Sequence, residues 1–254
     1  MIEISSASNS KFKYFKSLLD KKGRSKVGEY IVEGIKSVND AAEAGCEITA
    51  IIATEKQKEN IPENTTADIY IIADFLMEKL SDTKSPQGIA AVIRRGSRML
   101  PDISKEGLYI YCDNVSDPGN LGTIIRTADS AGFNGVLLSS GCVDVYNPKT
   151  IRSCMGSFFH IPVYDNVAYE FLEEYSKQGK VYGGILTGNT VDYREPSYDN
   201  KTIIVVGNEA NGISDRVKKI CIPVKIPIYG KAESLNAAVA AALLMYEAAD
   251  KIYK

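Results

Sequence analysis

Short apolar runs alternate with stretches of helical spacing along this chain, and the rhythm changes near residue 95. Before that point EYIVEG, ITAIIA, ADIYIIA and GIAAVIRR are apolar runs bounded by polar or glycine positions, which predicts strands. Asn9 or Ser10 is placed to cap a helix reaching about Lys22, and IKSVNDAAEAG is an amphipathic helix that Gly45 ends. Residues 1–95 therefore predict a small α/β domain. RRGSRMLPDISKEG then carries Gly96, Pro101 and Gly107 among charges without periodicity, so 96–106 reads as a linker.

From residue 107 to 254 the runs LYIYCDNV, GVLLSS, KVYGGILT and KTIIVVG are nearly continuous in apolar residues. Strands that are apolar on both faces belong to a parallel sheet covered by helices on both sides, which predicts a second α/β domain. ESLNAAVAAALLMYEAADKIY is alanine-rich and predicts a closing helix.

Composition narrows the class. With 254 residues, 44% hydrophobic and 24% charged, the chain can bury one large core or two small ones, which excludes a disordered protein. The start MIEISSASNSKFKY lacks the apolar core of a signal peptide, and no stretch reaches the roughly 18 apolar residues of a membrane helix, so a cytoplasmic protein is expected. Five widely spaced cysteines without a C-x-x-C pair argue against a disulfide framework and against a zinc site, and no metal is expected. The net charge of -2 does not mark a nucleic-acid binder, but its distribution is uneven. Between Lys11 and Lys26 seven basic residues, Lys13 and Arg24 among them, face one acid, Asp20, with Phe12, Tyr14 and Phe15 interleaved. Such a run is either a phosphate-contacting patch or a solvated helix face.

In an open parallel sheet the loops at the carboxyl ends of the strands bind ligands, and three such loops carry polar residues that need explaining. The first, Asp113 to Arg126, places Asp117, Pro118, Gly119 and Asn120 at the mouth of a helix, a setting suited to an anion, although a D-P-G-N turn is also an ordinary cap. The second, Gly207 to Ser214, sets two glycines around Glu209. The third, Ile226 to Asn236, delivers Ser234 and Asn236 to the alanine-rich helix. No G-x-G-x-x-G follows the first strand of the second domain, which disfavours a dinucleotide-binding fold.

Taken in order, the loops resemble the three motifs of the SpoU-type (TrmH-like) RNA 2′-O-ribose methyltransferases. Asn114, Asp117, Pro118, Asn120, Gly122, Arg126, Thr127 and Ala128 match the first; Gly207, Glu209, Gly212, Ile213 and Ser214 the second. Ile226, Pro227, Gly230, Ser234, Leu235 and Asn236 match the third, with Ile228 where methionine is usual. Tyr146 to Arg152 and Gly156 to Phe159 look like the family's intervening segment, and S-x-x-N-S-K and E-G-I-K-S-V like its ribosomal-protein-like RNA substrate-binding domain.

The resemblance implies a parallel-sheet SPOUT methyltransferase domain with a carboxy-terminal trefoil knot, an exception to the rule that chains avoid knots. It implies S-adenosylmethionine as cofactor, held by backbone at Thr187, Gly188, Gly207, Ile226 and Leu235 with Ser234 and Asn236. It further implies a homodimer, and RNA rather than DNA or membrane as partner, contacted by Lys11, Lys13, Arg24, Lys149 and Arg152. The separate first domain points to 23S ribosomal RNA; transfer RNA, or a non-catalytic RNA-binding factor on the same fold, are the alternatives. Arg126, Asn120, Glu209, Ser234 and Asn236 are the implied catalytic set. A guanidinium stays protonated to about pH 12, so Arg126 is expected to bind phosphate and stabilise an alkoxide, with Asn120 orienting the ribose and Glu209, Ser234 and Asn236 holding the arginine and cofactor. The lone histidine, His160, lies in apolar SFFHIPVY and is expected to be structural; Tyr193 and Tyr198 could stack on bases but mostly serve packing.

Overall fold

Asn9 caps the first helix, its side-chain oxygen accepting hydrogen bonds from the backbone N–H groups of Lys11 at 2.8 Å and Phe12 at 3.3 Å. The helix does not reach Lys22. After strand β1 (Ile2–Ile4), α1 spans Ser10–Ser17 and a second helix, α2 (Lys21–Val27), crosses its end. The crossing is close: a Cβ on Gly23 would lie 1.9 Å from the Ser17 carbonyl oxygen. Gly28 ends α2 at φ +70, a left-handed conformation that glycine adopts without steric cost.

Two compact units divide the computed structural model, which describes residues 1–83, 85–186 and 188–254: one comprises 1–97 and 146–159, the other 98–145 and 160–254. In the first unit β2 (Glu29–Glu33), α3 (Ile35–Glu43), β3 (Ile48–Ala53), β4 (Asp68–Ile72), α4 (Asp74–Leu80) and β5 (Ile89–Arg94) follow. Its five strands order as β1-β4-β3-β5-β2, with β5 antiparallel to both neighbours. Phe12 and Phe15 of α1 and Leu76, Met77 and Leu80 of α4 bury against Ile52, Tyr70 and Val92.

In the second unit β6 (Gly107–Asp113), α5 (Pro118–Ser130) and β7 (Gly135–Leu138) come first. The chain then forms α6 (Pro148–Cys154) and α7 (Ser157–His160) before β8 (Val163–Tyr164), α8 (Tyr169–Tyr175), β9 (Lys180–Gly184), β10 (Val191–Asp192), β11 (Lys201–Gly207), α9 (Asp215–Lys218), β12 (Ile222–Lys225) and α10 (Ala237–Tyr253). The seven strands, all parallel, order as β10-β12-β9-β11-β6-β7-β8. The parallel sheet expected from the apolar runs is therefore present. Helix α10 packs on α5 and β11, and burial of Leu244 and Met245 in that layer contributes roughly 1.5–3 kcal/mol each.

Residues 146–159, which the sequence reading placed in the second domain, pack with the first unit instead. Tyr146 and Phe158 close an aromatic cluster on Tyr30, with ring centroids 4.8 and 5.8 Å away, and the Arg95 guanidinium stacks 4.1 Å from the Tyr146 ring. No sequence periodicity reports such a long-range ring contact.

Candidate functional site

The three polar loops leave the same end of the sheet. Strand β6 ends at Asp113 and β11 at Gly207, residues that pair in register, while β9 and β12 end nearby at Gly184 and Lys225. This is the carboxyl edge at which open parallel sheets bind ligands.

A chain of hydrogen bonds joins the loops. The Asn236 side-chain amide donates to Asn120 Oδ1 at 2.9 Å, and the Asn120 side-chain amide donates to Glu209 Oε1 at 2.9 Å. Glu209 Oε2 accepts from the Ser116 hydroxyl at 2.9 Å and from its N–H at 3.2 Å, and Oε1 accepts from the Asp117 N–H at 3.2 Å. Each asparagine also shapes its own helix: Asn236 Oδ1 caps α10 through Ala238 and Val239, and the Asn120 N–H donates to Asp117 Oδ1 at 2.7 Å. The sequence reading offered the start of α5 to an external anion. In the structure the anions there are Asp117 and Glu209 themselves.

Partial burial alone would raise the pKa of Glu209, but the hydrogen bonds from Asn120 and Ser116 and the backbone N–H groups outweigh it and hold the carboxyl down at about 2. The folded value thus lies below the roughly 4.3 of an unfolded glutamate. The contribution of this carboxylate is fully present above the unfolded value and is lost as pH falls toward 2. Glu209→Gln, which points an amide NH2 at groups that are themselves donors, is expected to flatten the loss of stability between about pH 4.5 and 2.5. Urea midpoints measured across that range check it; parallel curves for variant and wild type would overturn it.

Three residues that the motif reading did not assign a role complete the frame. Asp113 is fully buried; its Oδ2 accepts from the Ser214 N–H at 2.7 Å and its Oδ1 from the Asn114 amide at 2.7 Å. Asn208 donates to the Asn114 carbonyl at 2.9 Å and accepts from the N–H groups of Ala210 and Asn211. Ser116, as above, holds Glu209. A polar residue at the end of an apolar strand was the available signal for Asp113, since a buried carboxylate requires donors.

Beside this relay lies a cleft of about 410 Å³ whose apolar walls are Ile185, Leu186, Ile226, Ile228, Leu235 and Leu244. That is a size suited to a small-molecule ligand. Of the residues expected to hold the cofactor, Gly207, Ile226, Ser234 and Leu235 line it, as does Glu209. Gly188, at φ +95, and Asn236 do not line it, and Thr187 lies outside the described residues. The walls fit S-adenosylmethionine: the apolar slot takes a flat base, and Asn208, Glu209 and Ser234 bring polar groups to its lining.

Arg126 stands apart from this group. It is exposed on α5, and among the described residues its guanidinium has no hydrogen-bond or ion-pair partner. Six helical residues separate it from Asn120, which turns it about 120° away around the helix. The expectation that Glu209, Ser234 and Asn236 hold the arginine is not what the structure shows; Glu209 holds Asn120 instead.

The expected RNA contacts divide as well. Arg24 is a correction: it is 2% exposed, and its Nη1 donates to the carbonyls of Leu18 at 2.8 Å and Leu19 at 2.7 Å, closing the end of α1. Lys11 sets its ammonium 5.0–5.7 Å from the rings of Tyr14, Phe15 and Tyr70. Arg152 pairs with Asp82 at 3.0 Å. Lys13 and Lys149 are exposed, as are Lys16, Lys21, Lys22 and Lys26, so the basic run keeps a solvent-facing set without Arg24. Arg24→Ala is expected to cost about 2–4 kcal/mol by leaving the buried Leu18 and half-buried Leu19 carbonyls unpaired over a cavity, read from urea unfolding. By contrast Lys13→Ala should leave stability unchanged. His160 is exposed, with Nδ1 3.5 Å from Asp129, and lies outside the cleft. Tyr198 is buried and donates to the Tyr193 carbonyl, as a packing residue does.

Comparison with known proteins agrees with this geometry. The profile of the SpoU rRNA Methylase family matches residues 107–246, and that of the MRM3-like substrate binding domain matches residues 9–91. The chain is 37% identical to the 23S rRNA (guanosine(2553)-2'-O)-methyltransferase RlmP of Bacillus subtilis (strain 168), over 97% of this chain and 98% of that one. It is 29% identical to the 23S rRNA (uridine(2479)-2'-O)-methyltransferase of Streptomyces viridochromogenes, over 94% of this chain and 89% of the relative. Among solved structures, the AdoMet-bound rRNA methyltransferase from Sinorhizobium meliloti superposes with a TM-score of 0.87 at 30% identity, covering 97% of this chain and 96% of that one. With the family profile spanning the relay and the cleft, and a relative above 30% identity along nearly its whole length, this chain belongs to the SpoU rRNA Methylase family.

Proposed function

We propose that this protein methylates the 2′-hydroxyl of a ribose in 23S ribosomal RNA, using S-adenosylmethionine. The observation that carries the reading is the Asn236–Asn120–Glu209 relay, which joins three distant loops at the rim of an apolar cleft. The activities named for the Bacillus subtilis and Streptomyces viridochromogenes relatives support it, as does the substrate-binding domain at residues 9–91.

Gly207, Ile226, Ser234 and Leu235, which line the cleft, would hold the cofactor. When bound, S-adenosylmethionine supplies a methyl group activated by a positively charged sulfur. Asn120, locked between Asn236 and Glu209, is positioned to orient the ribose. Arg126 remains cationic at neutral pH, so it binds the neighbouring phosphate and stabilises charge developing on the sugar oxygen.

A homodimer with shared sites is part of the same reading. Val239, Leu243 and Tyr246 recur along α10 at helical spacing and are exposed, an apolar stripe suited to a second copy. Ile226, Ile228 and residues 233–235 line one cleft with 184–186 and 206–213 before the chain enters α10, the crowding of loops that a knotted path requires. Such an enzyme works in the cytoplasm, with the ribosomal RNA. Among the described residues no helix is long and apolar enough to cross a membrane.

Incubation with labelled S-adenosylmethionine, unmodified 23S ribosomal RNA and total transfer RNA, followed by mapping of alkali-resistant phosphodiester bonds, tests the proposal. One resistant bond in the ribosomal RNA is expected. Label confined to transfer RNA, to a base, or to no RNA would overturn it.

A further inference from the structure

The loop that carries Ile226 and Ile228 into the cleft also presents a ring that packing does not explain. Tyr229 is 88% exposed, although Ile228, immediately before it, lines the cofactor cleft. The Arg194 guanidinium lies beside the Tyr229 hydroxyl and is itself fixed by a two-pronged pair with Asp192, through Nε at 2.8 Å and Nη2 at 2.7 Å. The guanidinium lies over a second ring, Tyr193, at 5.6 Å. Tyr193 in turn donates its N–H to the Lys225 carbonyl, which ties the column to the edge of the sheet.

A large ring left out of the core beside a fixed guanidinium keeps an apolar face in water that packing within the fold does not explain. The column Tyr193–Arg194–Tyr229 thus offers an aromatic face and a stacked guanidinium on one surface, the pair of groups on which unpaired RNA bases stack. Net charge does not distinguish the place, because Lys225 and Lys231 are balanced by Glu195 and Glu233. The exposed ring does.

We propose that Tyr229 is a stacking platform for an unpaired base of the RNA substrate, next to the ribose presented to the cleft. The inference rests on the RNA methyltransferase reading and adds a specificity-determining residue to it. It also implies that the target nucleotide is taken from a loop or bulge, since a base within a helix has no free face to offer.

The test uses the full-length protein and an unmodified 23S ribosomal RNA transcript, comparing Tyr229→Ala and Tyr229→Phe with wild type. Tyr229→Ala is expected to weaken RNA binding and raise KM for RNA about tenfold, while Tyr229→Phe, which keeps the ring, stays within about threefold. Calorimetric affinity for S-adenosylmethionine and sedimentation should be unchanged in both. Unaltered RNA affinity in Tyr229→Ala overturns the proposal. So does a parallel loss of cofactor affinity, which would make Tyr229 a cleft residue, or a shift in sedimentation, which would make it a contact between copies. Wild-type protein that binds the transcript without methylating it would refute the enzymatic reading, yet the binding comparison between the variants would still decide the role of Tyr229.

Discussion

Arg126→Ala is expected to lower kcat for methyl transfer by about a thousandfold while affinity for S-adenosylmethionine changes by less than about twofold. The guanidinium touches neither the cleft nor the relay, so its removal leaves both standing. On the proposed reading, what is lost is the positive charge that offsets the negative charge developing on the sugar oxygen. Arg126→Lys should recover little, because an ammonium cannot offer the same planar fork to a phosphate. Equal loss of activity and cofactor affinity would show instead that Arg126 supports the cleft.

The orientation of Arg126 sharpens this prediction. It lies about 120° around α5 from Asn120, so a single copy does not direct both side chains the same way. If Arg126 serves the site of a partner copy, an equal mixture of Arg126→Ala with a variant unable to bind cofactor should regain roughly a quarter of wild-type sites after subunit exchange, from random pairing. In such a mixed dimer one site has an intact cleft and an intact arginine. If Arg126 acts within its own copy, every site lacks one or the other, and the mixture stays inactive.

How much of this was legible in the sequence depended on how local the cause was. Strands β3, β6 and β11 are continuous apolar runs buried in the sheet, and the pattern gave their position directly. The strands at and next to the edges of the second sheet were not visible. β8 and β10 have two residues each, and β12 includes Pro223 with exposed ends, so none carries a hydrophobic signature. The site shows the same division. The motif residues were readable one by one, but the contact between Asn236 and Asn120 spans 116 residues, and nothing along the chain says which polar group faces which. A count of basic residues likewise could not separate Arg24, which satisfies buried carbonyls, from Lys13 in solvent, because charge in a sequence carries no burial.

Gly207→Ala is expected to abolish detectable cofactor binding and to lower the stability of the second unit by about 2–4 kcal/mol. A Cβ at this position would sit 2.1 Å from the Gly212 carbonyl carbon, 2.2 Å from the Ile213 nitrogen and 2.3 Å from the Gly212 oxygen. All three are backbone atoms, so no side chain can swing aside. Relief requires opening the bridge between Asn208 and Gly212, whose two backbone hydrogen bonds measure 3.0 and 2.8 Å. Opening it displaces Glu209 from Asn120 and reshapes a wall of the cleft, so one methyl group reaches both the relay and the ligand site. Gly96→Ala supplies the control, since nothing lies within 4 Å of its added carbon. Calorimetry and urea unfolding of the two variants decide the matter. Cofactor affinity within about threefold of wild type in Gly207→Ala would mean that the loop yields more cheaply than its backbone contacts allow, and the cleft between Gly207 and Leu235 would then not be where the cofactor sits.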